Sequence, residues 1–545
     1  MRSRALVVLA AMSGALITGG WFLQRGLEGG GGMFDRAKLF NQVMSRIANS
    51  YVDTLSQARL YRMAADGMLD NLHDPYSAFL PPERLARLNE STTGNYGGLG
   101  IQIDVREDWI TIIAPMEGTP AARAGIQTGD RIVAVDGRPA RGLAPEEALK
   151  ALRGPSGTRV KLLIERPGVS EQMTFDLKRA EIHAPAVRQA TMLSEEVGYA
   201  DVDIFSETTA HELREAIARL KRRGMKTLVL DLRGNPGGLL DQGVDVSDLF
   251  LNRGQKIVTM RGRASLGMRE FVDDGQQPWP NLPVVVLTDG GSASASEIVA
   301  GALQDHDRAV VIGASTFGKG SAQSVFRVGG DGALKLTTAR WYTPSGRSIQ
   351  KPFTPESGEA DDEEAEENAD LPGETPLDKR ERFKTDAGRT VYGGGGITPD
   401  LLARAAEADS VALRLQQALG SDLPKFRDAL TEYALTFRPG RLVSSPDFEV
   451  TPKMLDELWR RMALRGATLP RASYDEGGPI VSRLLGFEIA RYVFGQEAEF
   501  LRRVRYDRAI SAALELTRGA TTQQELLAAA AKRRLSKQED VAPPR

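Results

Sequence analysis

Apolar residues between positions 34 and 87 recur with a helical period. They stand at every fourth position, at Leu39, Val43, Ile47 and Tyr51. Apolar side chains at this spacing share one face of a helix. The segment 33–90 is therefore predicted to be a helical arm. Two roles stay open for it, a small helical cap or a dimerisation arm, so a homo-oligomer is also left open.

The period changes to two after residue 90. Ile101 to Val105 alternates between apolar and polar residues, as a half-buried strand does. Further strands are predicted at 109–113, 159–165 and 172–177, with glycine turns between them and a short helix at 145–152. The segment 91–182 is interpreted as one small domain of strands.

Strands and helices alternate from about residue 183 to residue 402. Thr227 to Leu232 is almost wholly apolar, which is typical of a strand buried on both faces of a parallel sheet. Other strands are predicted at 197–205, 283–288, 309–313 and 334–339, with a helix at 211–223. This alternation indicates an α/β domain built on a central sheet.

The remaining segments are an insertion and a helical region. An acidic run in 353–385 holds few apolar residues, so the insertion is predicted to be disordered. Residues 403–530 are predicted to be helical, and Thr451-Pro452 has the residue types of a helix start. The last segment, 531–545, is predicted to be a disordered tail. The fold class is multidomain α/β.

The N-terminal segment 1–32 has the pattern of an export signal. Arg2 and Arg4 precede an apolar run from Ala5 to Phe22, and a glycine linker follows it. An uncleaved signal anchor is favoured over a cleaved signal peptide or a buried helix, because no convincing cleavage site follows. Both export interpretations place most of the protein outside the cytoplasm.

Composition excludes several classes of chemistry. The 545 residues include no cysteine and four histidines, and the formal net charge is −2. Disulfides, thiolate metal sites and a cysteine nucleophile are therefore excluded, and a histidine-rich metal site is poorly supplied. The charge gives no indication of nucleic-acid binding.

Two short segments carry the candidate chemistry. The run Gly291 to Glu297 places three serines between an apolar strand and an apolar helix, and Lys319 stands between two glycines. A hydroxyl at a helix start and a lysine with a lowered pKa are what a serine/lysine peptidase needs. Ser292 and Ser296 remain rival nucleophiles to Ser294, and Ser296 could instead cap the helix.

Three segments in this order closely resemble the carboxyl-terminal processing peptidases, also called tail-specific proteases. They are Asp231 to Gly238, Gly291 to Glu297 and Phe317 to Gln323. The segment 91–182 resembles a PDZ domain, which these peptidases also contain. Two later segments, Tyr342 to Gln350 and Gly396 to Asp400, look like the same family. The acidic insertion and the C-terminal helices are departures from it.

The resemblance implies a role for each matched residue. Ser294 would be the nucleophile, Lys319 its general base and Gln323 the residue that orients the lysine amine. The backbone N–H of Ala295, with one from Gly237 or Gly238, would form the oxyanion hole. No metal and no cofactor is implied. Arg233 is interpreted as a structural ion-pair residue and His306 as a surface residue.

The PDZ-like segment supplies the expected peptide site. The carboxylate of a substrate C-terminus would bind a backbone loop, and the adjacent strand edge would accept the extended peptide. The residues of this site are Gly97, Gly98, Leu99, Gly100 and Ile101. Arg153, which follows the predicted PDZ helix, is a candidate for gating the active site.

The implied function is an exported serine endopeptidase that cleaves proteins near their C-termini. The PDZ domain would capture free C-termini of protein substrates, and the expected location is the periplasm, anchored to the inner membrane. One alternative is a PDZ-based binding scaffold with a silent peptidase core. Another is a competent core that the helical arms keep closed.

Overall fold

The computed structural model describes residues 33–106, 109–166, 169–263, 267–329, 332–351, 377–403, 410–438 and 442–539. The chain forms two compact units, one of residues 1–82 and 323–337 and one of residues 83–322 and 338–545. The predicted signal anchor lies outside the described residues. Within the described ranges, no helix combines the length and the hydropathy that a membrane span requires.

The helices of the described residues are numbered in chain order. They are α1 Met33–Ser50, α2 Gln57–Asp70, α3 Pro82–Thr93, α4 Pro120–Arg123, α5 Pro145–Leu152, α6 Thr209–Arg222, α7 Leu240–Asp248, α8 Ala295–Asp305, α9 Ser410–Leu419, α10 Leu423–Thr436, α11 Pro452–Leu464, α12 Arg471–Glu476, α13 Gly478–Phe494, α14 Gln496–Val504, α15 Arg508–Thr517 and α16 Gln523–Glu539.

The strands are numbered in the same way. They are β1 Ala78–Leu80, β2 Asn95–Gly98, β3 Ile101–Arg106, β4 Trp109–Pro115, β5 Arg131–Val135, β6 Arg138–Pro139, β7 Arg159–Glu165, β8 Met173–Lys178, β9 Ala180–His183, β10 Val187–Met192, β11 Val197–Val202, β12 Thr227–Asp231, β13 Lys256–Gly262, β14 Met268–Val272, β15 Val284–Thr288, β16 Val310–Gly313, β17 Ser321–Val328, β18 Gly332–Tyr342, β19 Arg382–Lys384, β20 Thr390–Tyr392 and β21 Leu401–Leu402.

The first unit contains the predicted arm up to residue 82, and one part of this segment is not helical. Strand β1 pairs antiparallel with Ala333 to Lys335 of β18. Residues 78–80 were expected inside a helical segment. Pro75 and Pro81 stand on either side of them, and a proline in a helix interior removes a backbone donor and clashes with the preceding turn. The short stretch between them therefore pairs as a strand.

The PDZ-like part of the second unit is an antiparallel sheet with two short helices, α4 and α5. Its strand order is β3-β4-β5-β7-β8, with β6 paired to β5, so β3 forms an edge of the sheet. Ile110, Ile132 and Leu162 of the sheet and Ala148 of α5 share one buried cluster. This packing leaves the backbone of β3 without a second strand partner among the described residues.

The peptidase-like part of the second unit is built on a six-stranded sheet of order β10-β11-β12-β15-β16-β21. Strands β11, β12, β15, β16 and β21 run parallel, and β10 pairs antiparallel at one edge. Alternate residues of a strand point to opposite faces of its sheet. Leu228 and Leu230 of β12 accordingly belong to one buried cluster, and Val229 belongs to another.

Helices cover both faces of this sheet, as a parallel sheet requires. The face of Leu228 and Leu230 packs against α6, α7 and α8. The face of Val229 packs against the C-terminal helices α15 and α16, through Ile510 and Leu526 among others. The C-terminal helices therefore complete the core of the peptidase-like part, a role that their sequence did not reveal.

The rest of the C-terminal region forms its own helical cluster and contacts the PDZ-like sheet. Helices α9 to α13 bury a separate core. The predicted helix start at Thr451 is confirmed, because the Thr451 hydroxyl accepts the Met454 N–H at 3.4 Å. At the start of α14, the Gln496 amide donates to the Gln102 side chain of β3 at 2.8 Å, while Glu497 accepts a hydrogen bond from the Thr191 hydroxyl of β10.

Two predicted boundaries differ from the structure. Most of the acidic insertion lies outside the described residues, but its end does not. Strand β19, within the range 353–385, pairs with β20. The predicted tail 531–545 begins too early, since α16 continues to Glu539. The alanines, lysine and arginines of residues 528–534 have high helix propensity. The helix therefore continues into the range that was predicted to be disordered.

A fully buried ion pair joins α8 to one of the family-like segments. Arg347 is 0% exposed and Asp305 1% exposed, and the guanidinium Nη2 lies 2.7 Å from the Asp305 Oδ1. The same nitrogen donates to Gln304, and Nη1 donates to the Tyr392 carbonyl. Removing one member of such a pair leaves an uncompensated buried charge.

We expect the Arg347→Met variant to be destabilised by about 3–5 kcal/mol, since methionine fills similar space but leaves the Asp305 carboxylate unpaired. The matched control is Arg159→Met, which breaks an exposed ion pair with Asp176 and should cost at most ~1 kcal/mol. Urea unfolding followed by circular dichroism measures both. Equal midpoints for the two variants would contradict the expectation.

Candidate active site

Three neighbouring parallel strands end at the same edge of the central sheet. Strands β12, β15 and β16 lie side by side in the sheet order. The loop after β12 contains Gly237 and Gly238, the loop after β15 contains Ser294, and the loop after β16 contains Lys319. Ligand sites of α/β sheets form at the carboxyl ends of the strands. The three motifs are therefore brought to one edge by sheet topology.

Ser294 is the N-cap of α8 and has a strained backbone. Its φ is 53° and its ψ is −111°, a region that residues other than glycine rarely adopt. The side chain is half-buried, and its hydroxyl makes no hydrogen bond to another described residue. Strain of this kind often marks a functional position.

The two rival serines have structural hydrogen bonds. The Ser292 hydroxyl donates to the Leu232 carbonyl at 2.7 Å, and the Ser296 hydroxyl donates to the Asn235 carbonyl at 2.9 Å. Both side chains are 0% exposed. A hydroxyl that is buried and already donating is poorly placed to attack a substrate, so the geometry favours Ser294 as the nucleophile.

Gly237 and Gly238 differ in the use of their N–H groups. The Gly237 N–H donates to the Asn235 Oδ1 at 2.8 Å, and this glycine is buried. Gly238 is exposed, and no described residue accepts its N–H. The N–H of Ala295, the first residue of α8, is likewise without an acceptor in the described ranges. The pair Ala295 and Gly238 is therefore better suited to an oxyanion than Gly237.

Gly237 has a different task, which is to permit close packing. Its φ is 100°, and a Cβ at this position would lie 2.7 Å from the Ser294 Cβ. Because real side chains do not approach so closely, glycine is needed here for the loop to reach the serine.

Backbone N–H groups of the lysine loop bond to the serine run and to the Gln350 side chain. The Phe317 N–H donates to the Ser292 carbonyl at 3.0 Å, and the Gly320 N–H donates to the Gln350 Oε1 at 3.0 Å. Gly318 has a φ of 93°, and a Cβ there would lie 2.6 Å from the Lys351 Cγ. Lys319 itself is half-buried. The glycine before it thus permits both the turn and its close packing.

Glu297 is a site residue to which the sequence analysis gave no role. Its carboxylate is 0% exposed and accepts four hydrogen bonds. Oε1 accepts from the Thr316 hydroxyl at 2.5 Å and the Gly318 N–H at 2.7 Å. Oε2 accepts from the N–H groups of Ser294 and Lys319, each at 2.9 Å. One carboxylate therefore holds the serine and lysine segments together.

The sequence did contain a signal for Glu297. A glutamate three residues after a serine at a helix start is the pattern of a capping box. Burial raises the pKa of Glu297, and its four hydrogen bonds oppose that change. Four donors match the acceptor capacity of the two carboxylate oxygens.

Two further predicted residues, Gln323 and His306, form hydrogen bonds with described neighbours. Gln323 belongs to the first unit, where its amide donates to the Thr337 hydroxyl at 3.1 Å, and its catalytic role stays a prediction. His306 bonds the Lys256 carbonyl and Asp386, each at 2.7 Å, which is a structural role. Its side chain is only 8% exposed, so the expectation of a surface position is wrong.

Arg233 forms an ion pair with Asp231 as expected, with a nearest distance of 2.6 Å. Asp231 also accepts a hydrogen bond from the Tyr199 hydroxyl at 2.8 Å. Asp201 lies beside Asp231 in the parallel register of β11 and β12. Burial raises the pKa of Asp201 to about 6, opposed by Arg188 and assisted by the charge of Asp231.

The predicted peptide-binding residues are partly strand and partly loop. Gly97 and Gly98 belong to β2, which pairs with β9, instead of forming a turn. Leu99 and Gly100 connect β2 to the edge strand β3, and their N–H groups have no acceptor among the described residues. Unpaired N–H groups beside a strand edge are the features that bind a peptide C-terminus.

The gating candidate Arg153 directly follows the PDZ-like helix α5. Its guanidinium lies 3.1 Å from the Glu90 carboxylate and 4.5 Å from the centre of the Tyr96 ring. The neighbouring Gly154 N–H donates to the Gly97 carbonyl at 3.1 Å. Arg153 thus links the PDZ-like helix to α3 and β2, and its gating role stays a prediction.

The described residues contain no group of three or more side chains suited to holding a metal ion.

Three segments match known family models. Residues 196–357 match the model of peptidase family S41, and residues 111–166 match a PDZ domain model. Residues 28–83 match the N-terminal domain of the activating protease CtpB.

The relatives found by sequence comparison are processing proteases. A carboxy-terminal-processing protease of Bartonella bacilliformis is 42% identical over 315 residues, which cover 57% of this chain and 72% of that protein. The carboxy-terminal processing protease CtpA of Bacillus subtilis is 35% identical over 328 residues, 60% of this chain and 69% of that one. The photosystem II D1 C-terminal processing protease aligns with 30% identity over 57% of this chain and 89% of that one, with a TM-score of 0.34, too low for comparing geometry.

We expect Ser294→Gly to be more stable than Ser294→Ala by about 1 kcal/mol. Glycine relieves the strain of the positive φ, and this gain exceeds the entropy that glycine loses on folding. At Ser296, inside the first helical turn, the alanine variant should instead be more stable than the glycine variant. Thermal unfolding of the four variants measures both differences. The same order at both positions would show that Ser294 is unstrained.

We expect the stability of the protein to depend on Asp201 between about pH 4 and pH 6. The raised pKa means that the folded state holds this proton more tightly than the unfolded state does. The resulting stabilisation is present in full below the unfolded-state pKa of 3.8 and is lost as the pH rises through about 6.

The Asp201→Asn variant remains neutral at every pH and reports this loss. At each pH, the melting temperature of the native protein is subtracted from that of the variant. This difference should be larger at pH 8 than at pH 4.5, by an amount equivalent to about 2 kcal/mol. The exposed Asp176→Asn serves as the control and should show no such difference. A pH-independent effect of Asp201→Asn would contradict the assignment.

Proposed function

Because the chain belongs to the carboxy-terminal processing protease family, we propose that it is an exported endopeptidase with a Ser294/Lys319 dyad. The family assignment makes it a serine-type peptidase with a PDZ domain. The proposal adds the dyad, the capture of substrate C-termini and the location.

The bridge formed by Glu297 is the observation that carries the dyad. Its Oε2 accepts from the backbone N–H of both Ser294 and Lys319. A single rigid acceptor thus fixes the two backbone segments whose side chains must meet. The rival hydroxyls of Ser292 and Ser296 are buried and donate to carbonyl groups. Ser294 is left as the available hydroxyl of the run.

In the proposed reaction, the neutral amine of Lys319 takes the proton of the Ser294 hydroxyl as its oxygen attacks the scissile carbonyl. The N–H groups of Ala295 and Gly238 stabilise the oxyanion, helped by the positive end of the dipole of α8. The amine then gives its proton to the leaving nitrogen. In deacylation the Lys319 amine takes a proton from water as the water oxygen attacks the acyl carbonyl, and it gives that proton to the Ser294 oxygen as the ester bond breaks. Gln323 orients the lysine amine in both stages.

Substrate capture is assigned to the PDZ domain. The N–H groups of Leu99 and Gly100 would bind the terminal carboxylate, and the edge strand β3, which has no second strand partner among the described residues, would pair with the preceding residues of the substrate. Binding there holds the C-terminus of an unfolded protein near the peptidase core. Cleavage upstream of the captured end follows.

The location and assembly belong to the proposal as well. The basic and apolar sequence of residues 2–22 supports an inner-membrane anchor with the remainder in the periplasm. In the first unit, the apolar stripe of α1 is exposed, with Leu39 at 63% and Val43 at 50%. A second copy of the chain would cover this stripe, so the homo-oligomer stays a prediction.

The deciding experiment is cleavage of an unstructured protein by the native protein and by Ser294→Ala and Lys319→Met. We expect both variants to lose at least ~10³-fold in kcat/KM, because each removes a member of the dyad. Ser247→Ala is the matched control. It removes another buried serine hydroxyl, in α7, and should retain activity.

A second arm tests capture with one substrate made with a free or an amidated C-terminus. We expect amidation to raise KM about tenfold or more, because a charged hydrogen-bond acceptor is lost. Equal cleavage by the native protein and Ser294→Ala would defeat the dyad. Binding of free C-termini without any cleavage would favour the alternative of a silent PDZ scaffold.

A further inference from the structure

We propose that Asp507, in the C-terminal helical region, is a positioning residue for the loop that carries the oxyanion donor Gly238. This inference rests on the proposed peptidase activity. Residues 232–239 are called the oxyanion loop below. Asp507 stands at the start of α15, far along the chain from the three motifs, and no role was predicted for it.

Asp507 contacts the oxyanion loop through the guanidinium of Arg233, which also binds Asp231. Arg233, in the loop, donates from Nε to the Asp231 Oδ1 at 2.9 Å and from Nη2 to the Asp231 Oδ2 at 2.6 Å. Its remaining Nη1 donates to the Asp507 Oδ2 at 2.8 Å. The side chains of Arg233 and Asp507 are each 25% exposed, so water screens this pair less than an open surface pair.

Asp507 is itself held in place by its helix. Its Oδ1 accepts the Ile510 N–H at 2.9 Å, so it is the N-cap of α15. One oxygen of the carboxylate therefore caps the helix, and the other holds Arg233. Helix α15 packs Ile510 and Ala513 against the central sheet, so its position is fixed by the core. Through its bond to Arg233, Asp507 attaches the oxyanion loop to this fixed helix.

The oxyanion loop is anchored from its other side by the serine segment. The Gly234 N–H donates to the Asp289 Oδ1 at 2.9 Å, and the Ala293 N–H donates to the Asn235 carbonyl at 2.9 Å. Gly238, by contrast, is exposed. We infer that fixing Arg233 from outside limits the movement of the loop, and with it the position of the Gly238 N–H.

The kinetic consequence is specific to the transition state. An oxyanion donor acts on charge that develops during the reaction, so a displaced donor lowers kcat and has little effect on binding of the ground state. Loss of a whole donor costs about 10²–10³-fold in kcat. Loosening one donor through the loop should cost less, about tenfold.

The test is the Asp507→Asn variant of the full chain. Asparagine caps helices as well as aspartate does, so α15 should keep its cap while Arg233 loses one of its two charged partners and keeps Asp231. We expect kcat to fall about tenfold with KM unchanged within twofold. Affinity for a peptide aldehyde, whose oxygen would occupy the oxyanion hole once bound to Ser294, should fall by the same factor.

The matched control is Asp447→Asn. It breaks the ion pair between Asp447 and Arg505, two residues before Asp507, and both of these side chains are exposed. This variant should keep the native kcat and inhibitor affinity. Melting temperatures of the two variants should be alike, which separates loss of positioning from loss of stability.

A further measurement does not depend on catalysis. Hydrogen exchange of residues 232–239 is followed by mass spectrometry in an inactive Ser294→Ala background, with and without Asp507→Asn. We expect faster exchange in this loop when Asp507 is replaced, and no change with Asp447→Asn. Unchanged exchange together with unchanged kcat would overturn the inference.

Failure of the wider proposal gives a different result. If Ser294→Ala cleaves as well as the native protein, the dyad is wrong, whereas the exchange measurement still decides whether Asp507 orders the loop. A fall in kcat that Asp447→Asn reproduces would also overturn the inference, since the effect would then come from the C-terminal region in general.

Discussion

A parallel sheet must be covered on both faces, and this constraint decides how the second unit is assembled. Its strands are apolar on both sides, so water cannot replace a missing layer of helices. Helices between the strands supply one layer, and the last helices of the chain supply the other. The positions of Ser294, Lys319 and the oxyanion loop depend on that sheet, because all three follow neighbouring strands. A layer distant in sequence thus supports the proposed chemistry.

The sequence predicted most strands of the central sheet, and the roles of the motif residues stay predictions. An apolar run such as Thr227 to Leu232 is typical of a strand that is buried on both faces of its sheet. The choice of Ser294 among three serines came from the family resemblance, and the geometry gives it a physical basis. Ser292 and Ser296 are buried and already bonded to carbonyl groups. The distinction between Gly237 and Gly238 required the direction of individual N–H groups, which sequence patterns do not contain.

Long-range pairing is what the sequence could not reveal. The amphipathic pattern of Arg508 to Thr517 predicts a buried face, but a helix face carries no information about which surface covers it. The contact of Asp507 with Arg233 depends on that choice of surface. Strand β1 was missed for the same reason, since a three-residue strand is defined by its partner and not by its own period. The capping-box role of Glu297 could have been predicted from its spacing to Ser294. Its hydrogen bonds to the lysine loop could not, because they depend on tertiary structure.

The placement of the last helices also governs when the enzyme can form during its synthesis. Residues 508–539 are the final part of the sheet covering, and they leave the ribosome after every other element of the core. Until they emerge, one face of the central sheet has no cover and the newly made chain lacks a complete hydrophobic interior. A chain that stops before residue 508 would carry both members of the proposed dyad and still lack the helices that cover this face of the sheet. The core of the peptidase-like part is thus complete only once residues 508–539 have been made.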